Sequence, residues 1–380
     1  MHYKDLITFS DLTKLTKDQL IDIATDMSLK EASDSTQLID IASAIYEKTK
    51  NSAEAGNILE TRKNIIFAGR GSVGWFTLAS STSGNVLEEY IKYLKEKDQA
   101  KPFEKSKLQN DKNLTNLLSG VKNTVPILLG GIDNGDTVLL RYAIRSGIRT
   151  EVNVFTAEEV PRIEIVTVLL VPSKDLIEIR ASNRSASKVY RAIVSFIKEN
   201  IVEDVKSKQF SFKNDIKTAD PVKYLADKLK GQVSKNVDIP SKNYATMSDE
   251  EKESISQILE AINERLNDTD GADSIDINAI VDNAKGSLAD NFSGISFTEL
   301  ILNGLTKVDL SSIKELLNTP LYSSLSNHLI TKTTYIRFPV ITNGSTENIT
   351  IRVGLTVNTV VFSSRTTEEA IQAVRKILFN

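Results

Sequence analysis

Between residues 123 and 205 the periodicity of the chain changes from two to nearly four, and this limits its folds more than any other feature. In TVLLRYAIR the positions Val138, Leu140, Tyr142 and Ile144 are apolar, with Arg141 and Arg145 on the alternate set. In IRTEVNVF, Ile148, Val152 and Val154 alternate with Arg149, Glu151 and Asn153. Alternation of this kind sends one set to each face of a strand. A connection at 146–148 would make the two segments a hairpin with both polar sets on one face. Further strands are expected over 162–171 and 176–181, joined by the turn Pro172-Ser173-Lys174-Asp175. After Ser185 the apolar residues Val189, Ala192, Ile193, Phe196 and Ile197 recur at helical spacing. A helix with that stripe covers one face of the sheet. The other face is then expected to stay open and to carry Arg141, Arg145, Arg149 and Arg180, interleaved with Glu151, Glu164 and Glu178.

The C-terminus repeats the theme. Strands are expected over 335–341, 349–353 and 355–362, with an Asn343-Gly344 turn and a helix from Thr366. SNRSASKVYRAIVSFI, starting at Ser182, aligns without gaps on SSRTTEEAIQAVRKIL, starting at Ser363. Ala192, Ile193, Phe196 and Ile197 match Ala373, Val374, Ile377 and Leu378. Two strand-plus-helix units of this kind could pair into one pseudo-symmetric domain, similar in outline to TBP-like folds. The fold class is therefore α+β: an N-terminal helical module, then antiparallel-sheet-plus-helix units with a pseudo-repeat. The expected divisions are 1–122, helical with a lysine-rich linker; 123–205, sheet plus helix; 206–330, mostly helical and acidic; and 331–380, strands plus helix packing with 123–205.

In the N-terminal module, Thr16 and Gln19 form a capping box before Leu20, Ile23, Ala24 and Met27. A second helix opens near Ser35 or Thr36, with Leu38, Ile41, Ala42 and Ile45 on one face. The pair resembles SAP or HeH helix–loop–helix modules, or the first two helices of a winged-helix domain. In RKNIIFAGRGSVGWFTL, strand-like residues at 65–68 and 73–78 flank a Gly-Arg-Gly-Ser turn. A β-hairpin there would be the wing, and the winged-helix resemblance would turn Arg62, Lys63 and Arg70 toward phosphate.

Charge is unevenly spread. The net value of −3 conceals about +9 over 61–245 and about −10 over 246–320. There is no cysteine, which excludes disulfides, thiolate metal sites and cysteine nucleophiles. No apolar run reaches the roughly 18–20 residues of a membrane span, and the N-terminus shows no signal-peptide pattern. A cytoplasmic protein is expected.

Catalytic patterns are weak. Gly69-Arg70-Gly71-Ser72-Val73-Gly74 matches G-x-G-x-x-G, but strand-like residues follow where a dinucleotide site needs a helix, so the hairpin reading is preferred. Asp175 and Glu178, with Arg180 in place of a lysine, resemble the metal-binding strand of D/E-x-K nucleases. Asp268, Asp270, Asp273 and Asp276 fail the EF-hand spacing, because Leu266 and Ile277 fall on ligand positions. His2 and His328 lack partners at metal-ligand spacing. No cofactor or metal is expected. Arg184 and Arg365 stand at predicted helix N-termini, where the dipole attracts anions.

These features together predict a non-enzymatic, nucleic-acid-binding component of a larger assembly, with DNA ahead of RNA. Its contacts would be Arg62, Lys63, Arg70, Arg141, Arg145, Arg149, Arg180 and Arg184, and its acidic parts would meet a protein partner or a second copy. The alternatives are a protein–protein scaffold or adaptor, and a divergent metal-dependent nuclease.

Overall fold

The computed structural model describes residues 1–29, 36–68, 71–98, 101–109, 125–152, 157–218, 221–238, 330–342, 344–353, 358–363 and 366–379. The chain divides into two compact units. One comprises Met1–Gly231 with Arg337–Asn380, the other Gln232–Ile336. In the second unit the described residues are strand β7 (Gln232–Asp238) and the first part of β8 (Ile330–Thr342).

The first unit opens with helices α1 (Phe9–Leu12), α2 (Lys17–Asp26), α3 (Leu38–Asn51), α4 (Ala53–Thr61) and α5 (Lys63–Ile66). The capping box at α2 forms as expected: Gln19 N–H donates to Thr16 Oγ1 at 3.2 Å, and Thr16 N–H donates to Gln19 Oε1 at 3.0 Å. Leu20, Ile23, Ile41, Ala42, Ile45 and Leu59 bury the facing stripes in one cluster. Such short helices draw their stability from this packing rather than from propensity.

The hairpin expected over 62–78 does not form. Residues 63–66 are the helical turn α5, and Gly71–Ala79 is a single strand, β1. A four-residue apolar run carries too little periodicity to separate helix from strand. Here Ile66 and Phe67 join the core of the helical module. β1 is buried on both faces, and Trp75 and Phe76, on opposite sides, are 0% and 2% exposed. With no hairpin there is no wing.

The remaining elements are α6 (Val86–Glu96), β2 (Ile127–Asp133), β3 (Val138–Val152), β4 (Ala157–Val171), β5 (Leu176–Arg180), α7 (Asn183–Asn200), β6 (Lys206–Gln209), α8 (Phe212–Asp215), α9 (Pro221–Leu229), β9 (Ser345–Val353), β10 (Thr359–Phe362) and α10 (Glu368–Phe379). The sheet runs β2-β3-β4-β5-β1-β10-β9-β8, and β6 pairs with the far half of β1. The second expected hairpin, turning at 146–148, is also absent. β3 continues through this point and pairs along its length with β4, and the register shift between Arg145 and Gly147 leaves Ser146 as a one-residue bulge. Ser146 Oγ closes it by donating to Arg162 O at 3.2 Å. The turn before β9 needs Gly344, whose φ of +80° lies in the left-handed region.

The sequence echo corresponds to a real symmetry. β5 and β10 both pair antiparallel with β1, one on each side, so they run in the same direction. The helix after β5 covers one face of the sheet and the helix after β10 covers the other. Phe76 stacks on Tyr190 of α7 with ring centroids 3.9 Å apart, whereas Trp75 meets Phe379 of α10 at 6.2 Å. A rotation of half a turn about β1 therefore carries β4-β5-α7 onto β9-β10-α10. Burial follows the alignment: Ser185/Thr366, Ala186/Thr367, Val189/Ala370 and Ile193/Val374 are all buried, and Ala192/Ala373 are both half-buried.

Candidate nucleic-acid interface

The sheet face expected to be open is closed. Leu139 and Leu169, which lie on it, join the core of the N-terminal helices. Arg141, on the same face, is 1% exposed. Its Nη2 donates to Asp11 Oδ1 at 2.7 Å and Oδ2 at 2.5 Å, its Nη1 to Thr167 Oγ1, and its guanidinium lies 5.1 Å from the Phe67 ring centroid. Burial raises the pKa of Asp11, but Arg141 and Lys14 more than offset this and hold it below the ordinary carboxylate range.

Arg180 is likewise buried. Its Nε and Nη2 donate to Glu178 Oε1 at 2.9 and 2.7 Å, Nη2 reaches Glu368 Oε2 at 2.6 Å, and Nη1 donates to Phe67 O at 3.1 Å. Glu178 also accepts from Trp75 Nε1 at 2.9 Å and from Arg375 Nη1 at 2.8 Å. Burial pushes the Glu178 pKa up, and Arg180 and Arg375 pull it below its ordinary value. The pKa of Arg180 is raised in turn: burial lowers it, and Glu368 and Glu178 outweigh that loss. The assignment of Arg141 and Arg180 to a solvent-facing platform is thus corrected. The alternation was read properly, but the face it pointed to is lined with helices whose carboxylates neutralise both guanidiniums.

The other predicted contacts are scattered. Arg62 pairs with Asp26, and Lys63 Nζ lies 4.2 Å from the Tyr3 ring centroid. Arg145 is half-buried and its Nε has no hydrogen-bond acceptor. The bulge at Ser146 interrupts the alternation of β3 directly after Arg145. Arg70, the side chain of Arg149, Arg365, His328 and the acidic run Asp268–Asp276 lie outside the described residues.

Arg184 is the predicted contact that stands free. It is exposed in the first turn of α7. Ser182 Oγ and Glu164 already occupy the helix N-terminus: Glu164 Oε1 accepts from Ser182 N–H at 3.1 Å and its Oε2 from Ser185 Oγ at 2.6 Å. The expected anion site on free N–H groups is therefore filled from within. What Arg184 does instead is head a row. Lys188, Arg191 and Lys198 follow at i+4, i+7 and i+14, which places all four on one side of a 3.6-residue helix, with Ser195 at i+11. Arg184, Arg191 and Lys198 are exposed and Lys188 is half-buried. None of the four has a side-chain hydrogen bond or ion pair among the described residues. The neighbouring helix differs, because on α6 Glu88, Glu89, Lys92, Lys95 and Glu96 mix both signs.

Sequence reasoning identified the apolar stripe of α7 but missed the row, although the same letters carry it. Once Val189, Ile193 and Ile197 are assigned to the core, Arg184, Lys188, Arg191 and Lys198 fall on the opposite side.

The other candidate chemistries find little support in the geometry. Gly71, Val73 and Gly74 lie within β1, so the glycine motif opens a strand rather than a helix. The nuclease pair is divided: Asp175 accepts from Leu87 N–H at 2.9 Å at the start of α6, while Glu178 is held in the buried network. Among the described residues no cluster of three or more His, Cys, Asp or Glu side chains is arranged to hold a metal ion. Among them, too, no helix is long and apolar enough to cross a membrane. Compared with known proteins, the chain matches no family model and no curated protein.

Proposed function

We propose that this chain is a non-enzymatic nucleic-acid-binding component of a larger cytoplasmic assembly, and that the outer side of α7 is its phosphate-contacting surface. One observation carries the reading: Arg184, Lys188, Arg191 and Lys198 form a row that no acidic side chain pairs with among the described residues, on a helix whose other side is fixed in the core by Val189, Ile193 and Ile197. A rigid scaffold of this kind holds the charges in place, so binding does not have to order them. The row has no apolar centre, whereas protein interfaces are enriched in aromatic and apolar side chains at their core. That favours a phosphate backbone over a protein surface. DNA is favoured over RNA as the ligand.

Up to four phosphates would be neutralised, so log K should fall by about 3–4 for each tenfold rise in salt. Fluorescence anisotropy with labelled DNA at 50 and 200 mM salt should show a loss of affinity of about a hundredfold. Negligible binding at both concentrations would remove the proposal. Tighter binding of an acidic polypeptide than of DNA would favour the adaptor reading instead.

A further inference from the structure

Resting on the reading above, we infer that the ligand is a nucleic-acid duplex held through its phosphates alone, without regard to base sequence. The first ground is the setting of α7. Its buried side lies on the sheet, and α6 lies beside it in the same layer, with Tyr90 and Tyr93 meeting Phe196 edge-on at 5.8 and 5.3 Å. A single helix with its side chains is about 10–12 Å across, close to the roughly 12 Å width of the DNA major groove. Two helices side by side on a sheet are too broad to enter. The arginines therefore meet the duplex from outside, where phosphates are exposed and base edges are not.

The second ground is the lack of a stacking platform. Proteins that hold single strands stack bases on accessible aromatic rings. Among the described residues the exposed large apolar side chains are Ile39, Val125, Ile148 and Ile341, none of them aromatic. Of the aromatic residues on and beside α7, Tyr93 and Phe196 are half-buried against each other, and Tyr190 is half-buried and stacked on Phe76. The third ground is length. From Arg184 to Lys198 the row rises roughly 21 Å at 1.5 Å per residue, enough to cross a groove and touch phosphates on both of its walls.

The test uses the full chain and five labelled probes: two DNA duplexes of equal length and unrelated sequence, the single strand of each, and an RNA duplex. The two DNA duplexes should bind within about threefold of each other, and the single strands at least tenfold more weakly. R184E/R191E should lose at least tenfold on the duplexes, with circular dichroism and urea midpoint unchanged, while R62E should bind normally. Discrimination above tenfold between the DNA sequences, single strands bound as tightly as duplexes, or retained binding by R184E/R191E would each overturn the inference. An RNA duplex bound tenfold tighter than DNA would overturn the DNA assignment. Failure of the underlying reading looks different: no salt-sensitive binding to any of the five probes.

Discussion

Changing Glu178 to Gln is the most informative perturbation of the fold, because this one side chain joins three elements. Its carboxylate takes hydrogen bonds from Trp75 on β1, Arg180 on β5 and Arg375 on α10. Glutamine has nearly the same shape but no charge, and it turns an NH2 group toward donors. Removing one partner of a buried ion pair costs about 3–5 kcal/mol, chiefly because the remaining charge is left without compensation. Glu368 stays 2.6 Å from Arg180 and 3.5 Å from Arg375, which places the expected loss near the lower end, about 3 kcal/mol. That is a large fraction of the roughly 5–15 kcal/mol that stabilises a typical domain. Trp75 is the single tryptophan of the chain and bonds directly to Glu178, so its fluorescence reports urea unfolding from inside the network. With a slope near 3 kcal/mol per molar urea, the midpoint should fall by about 1 M. Adding Arg375→Val should restore part of the loss, since it removes the stranded charge and installs the residue type that α7 has at the matching position, Val194. A change below about 1 kcal/mol with an unaltered slope, the size expected of an exposed pair, would refute the account of the network.

Three further outcomes follow from the same physics. Asp11 and Glu178 titrate lower in the folded chain than when unfolded, so the stability they contribute is present above the ordinary carboxylate pKa and is lost as pH falls through their folded values. Urea midpoints should therefore match at pH 7 and 5 and drop below about pH 4; a drop between 7 and 5 would contradict this. Gly131→Ala places a methyl group 2.6 Å from Leu140 Cδ2 and 3.0 Å from Leu139 O, an overpacking that should cost about 1–3 kcal/mol by chemical denaturation. Burial, only partly offset by its bond to the Tyr142 hydroxyl at 3.1 Å, pushes the Tyr90 hydroxyl up to about 12, so a spectrophotometric titration should find it still protonated at pH 11.

The pattern of the letters revealed the sheet and its pseudo-repeat but not what covers it. Period-two alternation assigned Arg141 and Arg180 to the correct face. Whether a polar position on a strand meets water or a buried counter-charge depends on its partner, and here the partners are distant. Asp11 lies 130 residues from Arg141, and Arg375 lies 197 from Glu178. No local window contains both halves of such a pair. The same limit explains β1, whose neighbours β5 and β10 come from opposite parts of the chain. For the proposed interface the relevant signal was local throughout. The row on α7 follows from helical spacing alone once its apolar side is known.

The place of β1 at the centre of the sheet also bears on how the protein is made. Gly71 pairs with Phe362, so half of one flank of the central strand, the half that β6 does not cover, must wait for almost the whole polypeptide. At about 5–20 residues per second the ribosome needs tens of seconds to deliver that partner. During that interval Gly71–Gly74 have a free hydrogen-bonding border open to any extended segment nearby. Translation speed and chaperone supply should therefore influence the yield of correctly assembled molecules.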